Sequence, residues 1–280
     1  MNGPMIKALQ SSTEHEARRI AYELIEGGPQ RVVLISGTGL PGAYWTIAQT
    51  PAFRSWATCL LIDNAGSGGT YPLLDGTWSV QQMSIDVLTV MDAVGWDSAH
   101  LVGHSLGSVI ATAIAASSPS RVQSLSLHST WPGARRAPHV RAWLEARQNT
   151  ARVGDPVLWM KYAFLLVGPQ HFAEHGMDGG GLGEIANLIA ATGSIAHVGQ
   201  YDAGIGYEPC LPLEDLSVPV LVTAGSQDFV TLPEHGRLVA DLVPGARFVE
   251  FSGAGHLAAL EVPEVFNTVQ DDFIRSIGRP

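Results

Sequence analysis

Short apolar runs rich in β-branched residues alternate with helical patterns along this chain, and nearly every run ends at glycine, serine or aspartate. That alternation limits the fold more than any other feature. Strands that are apolar throughout and separated by helices must be covered on both faces, which calls for a mainly parallel, doubly wound α/β sheet. Strands are expected at Ile20–Glu26, Arg31–Ser36, Thr58–Asp63, Ala99–Gly103, Val122–Ser129, Pro219–Gly225 and Ala246–Gly253. Helices are expected at Ser79–Val94, with Gly95 as a stop, and at Leu106–Ser117, Pro233–Val243 and Pro263–Ile277. In such sheets ligands gather at the carboxyl ends of the strands, where the glycines, serines and aspartates lie.

One stretch breaks the rhythm. From Trp131 to Glu208 there is no clean strand, only helical patches and a glycine cluster at Gly179–Gly181 and Gly183. The expected organisation is a core from residues 1–130 and 209–280, with a helical cap at 131–208 resting on the sheet. Trp131, Trp159 and Phe164 would suit the wall of an apolar pocket there, as would Trp143. The plainer reading is that such aromatics pack the cap onto the core.

Composition excludes several classes. The formal charge of −10 and the absence of a basic block disfavour nucleic acids and anionic membranes as partners. Two cysteines, Cys59 and Cys210, make neither a disulfide framework nor a thiolate zinc site. The N-terminal stretch has no apolar signal core, and no run is long enough to span a membrane, so a cytoplasmic protein acting on a small molecule is expected. A homodimer is left open. His171 and His175 have the spacing of a helical metal pair but no evident third ligand, and a solvated surface is the plainer reading. Neither a metal nor an organic cofactor is expected.

Two glycine-rich turns carry the chemistry. The first, after Arg31–Ser36, spaces Gly37, Gly39 and Gly42 as G-x-G-x-x-G. That spacing fits a dinucleotide turn, with Asp63 at the end of the next strand as the ribose acid. It equally fits a turn that aims backbone N–H groups at a developing oxyanion. Pro41, placed where a dinucleotide-binding helix should begin, speaks against the first reading. The second turn is Gly103-His104-Ser105-Leu106-Gly107, a G-x-S-x-G between strand and helix. A serine at so sharp a turn needs glycine two residues to either side, and its hydroxyl then stands over a helix N-terminus. The bare motif is weak evidence, but its context is strong. Asp228 follows a later strand and His256 follows the last, the order Ser…Asp…His. His256 would take the serine proton, and Asp228 would hold the imidazole in the right tautomer. Asp202, Asp215 and Glu250 are other acids in the later chain.

In these motifs the chain resembles the α/β-hydrolase superfamily from about Ile20 to the C-terminus. The resemblance implies a cap-bearing, serine-nucleophile enzyme cleaving a carboxylic ester, lactone or thioester through Ser105, His256 and Asp228 and an acyl-enzyme, and the apolar cap suggests a small to medium apolar substrate. It also implies an oxyanion hole from the backbone N–H groups of Thr38 and Leu106, with Gly39 as the alternative to Thr38 in the first turn. Gly39, His104, Trp131, Trp159 and Phe164 are then the expected substrate contacts. Two positions depart from the pattern: Ser36 stands where the family usually has histidine, and Ala65 where it often has arginine. The same three residues also serve carbon–carbon bond hydrolases, perhydrolases and natural-product cyclases or lyases, so fold alone does not choose among them. A non-catalytic binding member would have no need of all three.

Overall fold

The computed structural model describes residues 6–13, 16–70, 78–153, 163–176, 183–185, 187 and 194–277. Eight strands form one sheet: β1 (Ile6–Thr13), β2 (Glu16–Ile25), β3 (Gln30–Ile35), β4 (Ala57–Ile62), β5 (Ala99–His104), β6 (Val122–His128), β7 (Val220–Gly225) and β8 (Arg247–Phe251). Their order is β1-β2-β4-β3-β5-β6-β7-β8. β1 and β2 run antiparallel to each other and β2 runs antiparallel to β4, while every later pairing is parallel.

The expected strands are all present, within a residue or two at most ends, except that β2 begins four residues early and β1 precedes it. β1 pairs Ile6 with Glu23 through Thr13 with Glu16. Its sequence, Ile-Lys-Ala-Leu-Gln-Ser-Ser-Thr, has no continuous apolar run to mark it. An edge strand pairs on one side only, so it need not carry one.

Alternate residues of β3 divide between two cores. Val33 and Ile35 face one, with Leu101, Leu127 and helices α2 (Val80–Ala93) and α3 (Leu106–Ser117). Val32 and Leu34 face the other, with Val102, Leu221 and helix α9 (Pro263–Ile277). Each such fully buried side chain stabilises the fold by roughly 1.5–3 kcal/mol. Every residue of α3 from Leu106 to Ala115 is buried, and its many alanines and serines let it lie close on β5 and β6. Gly95 takes φ +71 directly after α2, the left-handed conformation that ends a helix there.

The short α1 (Gln49–Phe53) follows the first glycine turn. Between β6 and β7 lie α4 (Pro138–Val153), a 3-10 turn (Ala163–Leu166), α5 (Pro169–His175) and α6 (Ser194–Ile205), and among the described residues this stretch holds no strand. α4 packs on α6, and the Gln148 amide donates to Asp202 Oδ1 at 2.5 Å. α7 (Pro233–Leu242) and α8 (Ala258–Glu261) complete the chain. No helix among the described residues is long and apolar enough to cross a membrane.

Candidate active site

The parallel register brings the strand ends level. Gly103 pairs with Ile35 on one side and Leu127 on the other, and His104 pairs with His128. Ser105 comes next and adopts φ 52 and ψ −118. Its neighbours must be small: a Cβ on Gly103 would meet the Gly107 carbonyl oxygen at 2.3 Å, and one on Gly107 would meet the Ile35 oxygen at 2.1 Å. The Ser105 N–H donates to the His128 carbonyl at 2.9 Å, and its own carbonyl accepts from the Ser108 N–H at 2.8 Å. The turn is fixed from both sides, and α3 begins at Leu106, where helix geometry supplies its N–H no partner.

Asp228 and His256 are held together. The Asp228 Oδ1 accepts the N–H groups of Val230 (2.8 Å) and Thr231 (2.9 Å), while Oδ2 accepts the Thr231 hydroxyl (2.9 Å) and His256 Nδ1 (2.9 Å). Burial pushes this carboxyl toward protonation. The charge and hydrogen bond of His256, the Thr231 amide and the Ser129 hydroxyl outweigh it, so Asp228 lies below the usual carboxylate range. With an ionised partner at Nδ1, the His256 proton sits on that nitrogen and Nε2 is left as the basic site. The His256 carbonyl accepts from His104 Nε2 at 3.0 Å and from the Ser129 hydroxyl at 3.4 Å. Glu261 accepts the Gly255 N–H at 3.0 Å and the Gly168 N–H at 2.7 Å, tying this loop to the segment between β6 and β7.

The first glycine turn is braced largely from elsewhere in the chain. The Asn64 amide donates to the Ser36 carbonyl at 2.9 Å, and the Ser36 hydroxyl closes on the Pro41 carbonyl at 3.0 Å. Asp63 accepts the Gly42 N–H (2.7 Å) and the Gly69 N–H (2.8 Å), so both of its oxygens are occupied by the protein. That engages Asp63 in bracing its own loop, and Pro41 precedes a 3-10 turn where a dinucleotide site needs a long helix. The Gly39 N–H donates to Gln200 Oε1 of α6 at 2.6 Å, so this amide is engaged within the protein. The Gln200 amide also donates to the Ala65 carbonyl and the Ser67 hydroxyl, both at 2.8 Å.

Ser105 and His256 line one cleft of about 520 Å³, part of it open to solvent, together with Gly37, Thr38, Leu40 and His104. Its far wall comes from the segment between β6 and β7: Trp143, Leu144, Arg147, Leu166, Ile185 and Tyr201. Gly39 and Trp131 are not lining residues. Trp131 is buried edge-on against Tyr207 at 5.9 Å, a packing role. Trp159 lies outside the described residues, as do Gly179–Gly181, and Phe164 is placed by its backbone on the 3-10 turn. His104 packs between the rings of His256 (4.8 Å) and His128 (5.3 Å). His171 and His175 stack on α5 at 4.5 Å, and among the described residues no group of three or more side chains could hold a metal.

Sequence reasoning missed Gln200, Arg147, Tyr201, Val230 and Leu257. Val230 and Leu257 stand within two residues of Asp228 and His256, a signal that was available. So did Arg147, which shares a helix face with Trp143 and Leu144.

The sequence profile of the alpha/beta hydrolase fold matches residues 30–263. The chain belongs to that family. "Putative carbamate hydrolase RutD" of Azorhizobium caulinodans is 26% identical over 258 residues, covering 92% of this chain and 96% of the relative. "Putative non-heme bromoperoxidase BpoC" of Mycobacterium tuberculosis is 30% identical over 263 residues, covering 92% and 98%. A hydrolase from Pseudomonas aeruginosa PA01 superposes with a TM-score of 0.85 at 25% identity, covering 98% of this chain and 99% of that one. For a member of this family the first glycine turn belongs to the hydrolase scaffold, and the hydrolase names among its relatives support an enzyme.

Proposed function

We propose that this protein hydrolyses a carboxylic ester, lactone or thioester of a small to medium substrate through an acyl-enzyme. Ser105 is the nucleophile, His256 the general base and Asp228 the acid that orients it. The backbone of Ser105 carries the reading. A non-glycine residue at φ 52 is strained by something like 1–3 kcal/mol, and here that strain stands in the cleft that His256 also lines. Strain retained beside a buried, carboxylate-bonded imidazole is the arrangement an activated serine needs.

Ser105 Oγ attacks the acyl carbon while His256 Nε2 takes the hydroxyl proton. Negative charge collects on the carbonyl oxygen, and the N–H groups of Leu106 and Thr38 are the donors for it, with the N-terminus of α3 adding its dipole. His256 returns the proton to the leaving group as the carbon–oxygen or carbon–sulfur bond breaks. Water then repeats the sequence on the acyl-serine, giving the acid and free Ser105. Asp228, held below its usual pKa, stays ionised and stabilises the imidazolium in both half-reactions.

The test is intact mass after exposure to an alkyl fluorophosphonate. One adduct is expected on the wild-type protein and none on Ser105→Ala. Labelling of both proteins alike, or of neither when both are folded, would overturn the assignment.

A further inference from the structure

The loop that delivers His256 has few side chains of its own to hold it. It runs Ser252-Gly253-Ala254-Gly255 into His256, and Gly253 takes φ +76. Its backbone is instead wedged between two others. A Cβ on Gly225, at the end of β7, would meet the Gly255 carbonyl oxygen at 2.1 Å, and a Cβ on Gly255 would meet the Gly168 nitrogen at 2.6 Å. A Cβ on Gly168 would in turn meet the Gly253 oxygen at 2.1 Å. Glycine at these positions lets the segment at 166–168 lie directly on the loop.

Close approach alone does not fix the loop; hydrogen bonds do. The Leu257 N–H donates to the Leu166 carbonyl at 3.0 Å. Glu261 ends α8, and its own N–H returns to the Leu257 carbonyl at 3.0 Å. Both of its carboxylate oxygens accept from the Gly255 N–H at 3.0 Å, and Oε2 also accepts the Gly168 N–H at 2.7 Å. One carboxylate thus ties the residue before His256 to the helical turn after it and to the segment at 166–168. Such charge-assisted bonds are roughly twice as strong as neutral ones. Burial, with the charge of Asp228 adding, holds the Glu261 carboxyl above its usual range, while the amides of Gly168, Gly255 and Leu257 pull it down. The other restraints act elsewhere: Asp228 fixes the imidazole at Nδ1, and His104 and the Ser129 hydroxyl fix the His256 carbonyl.

We infer that Glu261 is a positioning residue for catalysis: its carboxylate clasps the backbone on both sides of His256 and sets where the imidazole Nε2 stands relative to the Ser105 hydroxyl. Glu261 does not line the cleft, so it acts through His256 and the loop. The inference rests on Ser105 as nucleophile and His256 as general base.

The experiment measures the rate of labelling by an alkyl fluorophosphonate and the turnover of p-nitrophenyl butyrate. Folded Glu261→Ala should be labelled roughly 10- to 100-fold more slowly than wild type, with a matching fall in kcat and little change in KM, the size expected when a catalytic group is misplaced. Glu261→Gln should recover most of the rate, because Oε2 already serves both amides and a single carbonyl oxygen can do the same. Formate should speed Glu261→Ala and leave wild type unchanged, since a small carboxylate can refill the gap between the two amides. A wild-type rate in folded Glu261→Ala overturns the inference and leaves the hydrolase reading intact. A loss that neither glutamine nor formate relieves would assign the residue to the fold alone and overturns it too. If Glu261→Ala does not fold, Glu261→Asp decides: its carboxylate is one methylene too short to bridge both amides, and a wild-type rate there overturns the inference. A wild type that is neither labelled nor active would overturn the hydrolase reading, and this inference with it.

Discussion

The two glycine-rich turns at the carboxyl edge of the sheet meet around one cleft, but they are built differently. The turn at residues 103–107 is held by its own backbone and the strands beside it: glycine hydrogens where any Cβ would collide, and the Ser105 N–H on the neighbouring strand end. The turn at residues 36–42 borrows much of its shape. Asn64 and Asp63 brace it from the loop after β4, and Gln200 reaches in from α6, 161 residues further along. Sterics within the motif and against the two strands beside it fix the first geometry. The second exists only once the rest of the molecule is assembled.

The largest effect should come from violating the self-imposed turn. Gly107→Ala places a methyl 2.1 Å from a backbone oxygen of β3, which cannot move without disturbing the central sheet. Urea unfolding should show a loss on the order of 3 kcal/mol, at the upper end of overpacking costs. Gly39→Ala meets the penalty of its φ of +77, about 1–2 kcal/mol. Equal losses at the two positions would erase the distinction between the turns.

That distinction also explains what the sequence made legible. Seven strands and the elbow at Ser105 follow from apolar runs and local glycine sterics. Asp228 and His256 could be picked out because each follows its own strand in chain order. β1 escaped because an edge strand needs no continuous apolar run. The spacing of Gly37, Gly39 and Gly42 left two chemistries open, and the 3-10 turn after Pro41, in place of a long helix, closed one of them. Gln200 was invisible as a site residue because nothing local marks it. Its role comes from the packing of α6 over the sheet edge.

Gln200→Met tests how far the borrowed turn depends on its lender. The side-chain volume is kept, while the acceptor for the Gly39 N–H and the donors to Ala65 and Ser67 are lost. Thr38, the proposed oxyanion donor, adjoins Gly39, and misplacing such a donor typically costs about 10²-fold. The expected result is a drop of roughly 10- to 100-fold in kcat with KM little changed. Gln200→Glu retains an acceptor for Gly39 and should recover part of the loss. Unchanged kcat in Gln200→Met would show that Ser36 and Asn64 hold the turn without help.

The smallest effect concerns the rings beneath the first turn. Burial holds His128 down to about 4, with the neighbouring His256 adding to the shift, and it holds His104 well below its usual value. Asp228 and the contacts to Thr223 and the His256 carbonyl pull His128 the other way but do not prevail. The unfolded chain takes up a proton at each histidine near pH 6.5, whereas the folded chain resists until lower pH. The stabilisation is therefore complete above pH 6.5 and is lost as pH falls toward the folded value, with a limiting slope of about 1.4 kcal/mol per pH unit for each ring. Asp228 acts in a separate window, below the ordinary carboxylate range, where its depressed pKa makes acid destabilising. Urea unfolding between pH 4.5 and 7 should thus show a slope that His128→Asn reduces, since Asn can keep a contact to Thr223 Oγ1 without titrating. Gln200 and Asn64 do not titrate, so the same series in Gln200→Met should keep the wild-type slope. A slope in His128→Asn equal to that of the wild type would mean that the His128 ring is not held neutral.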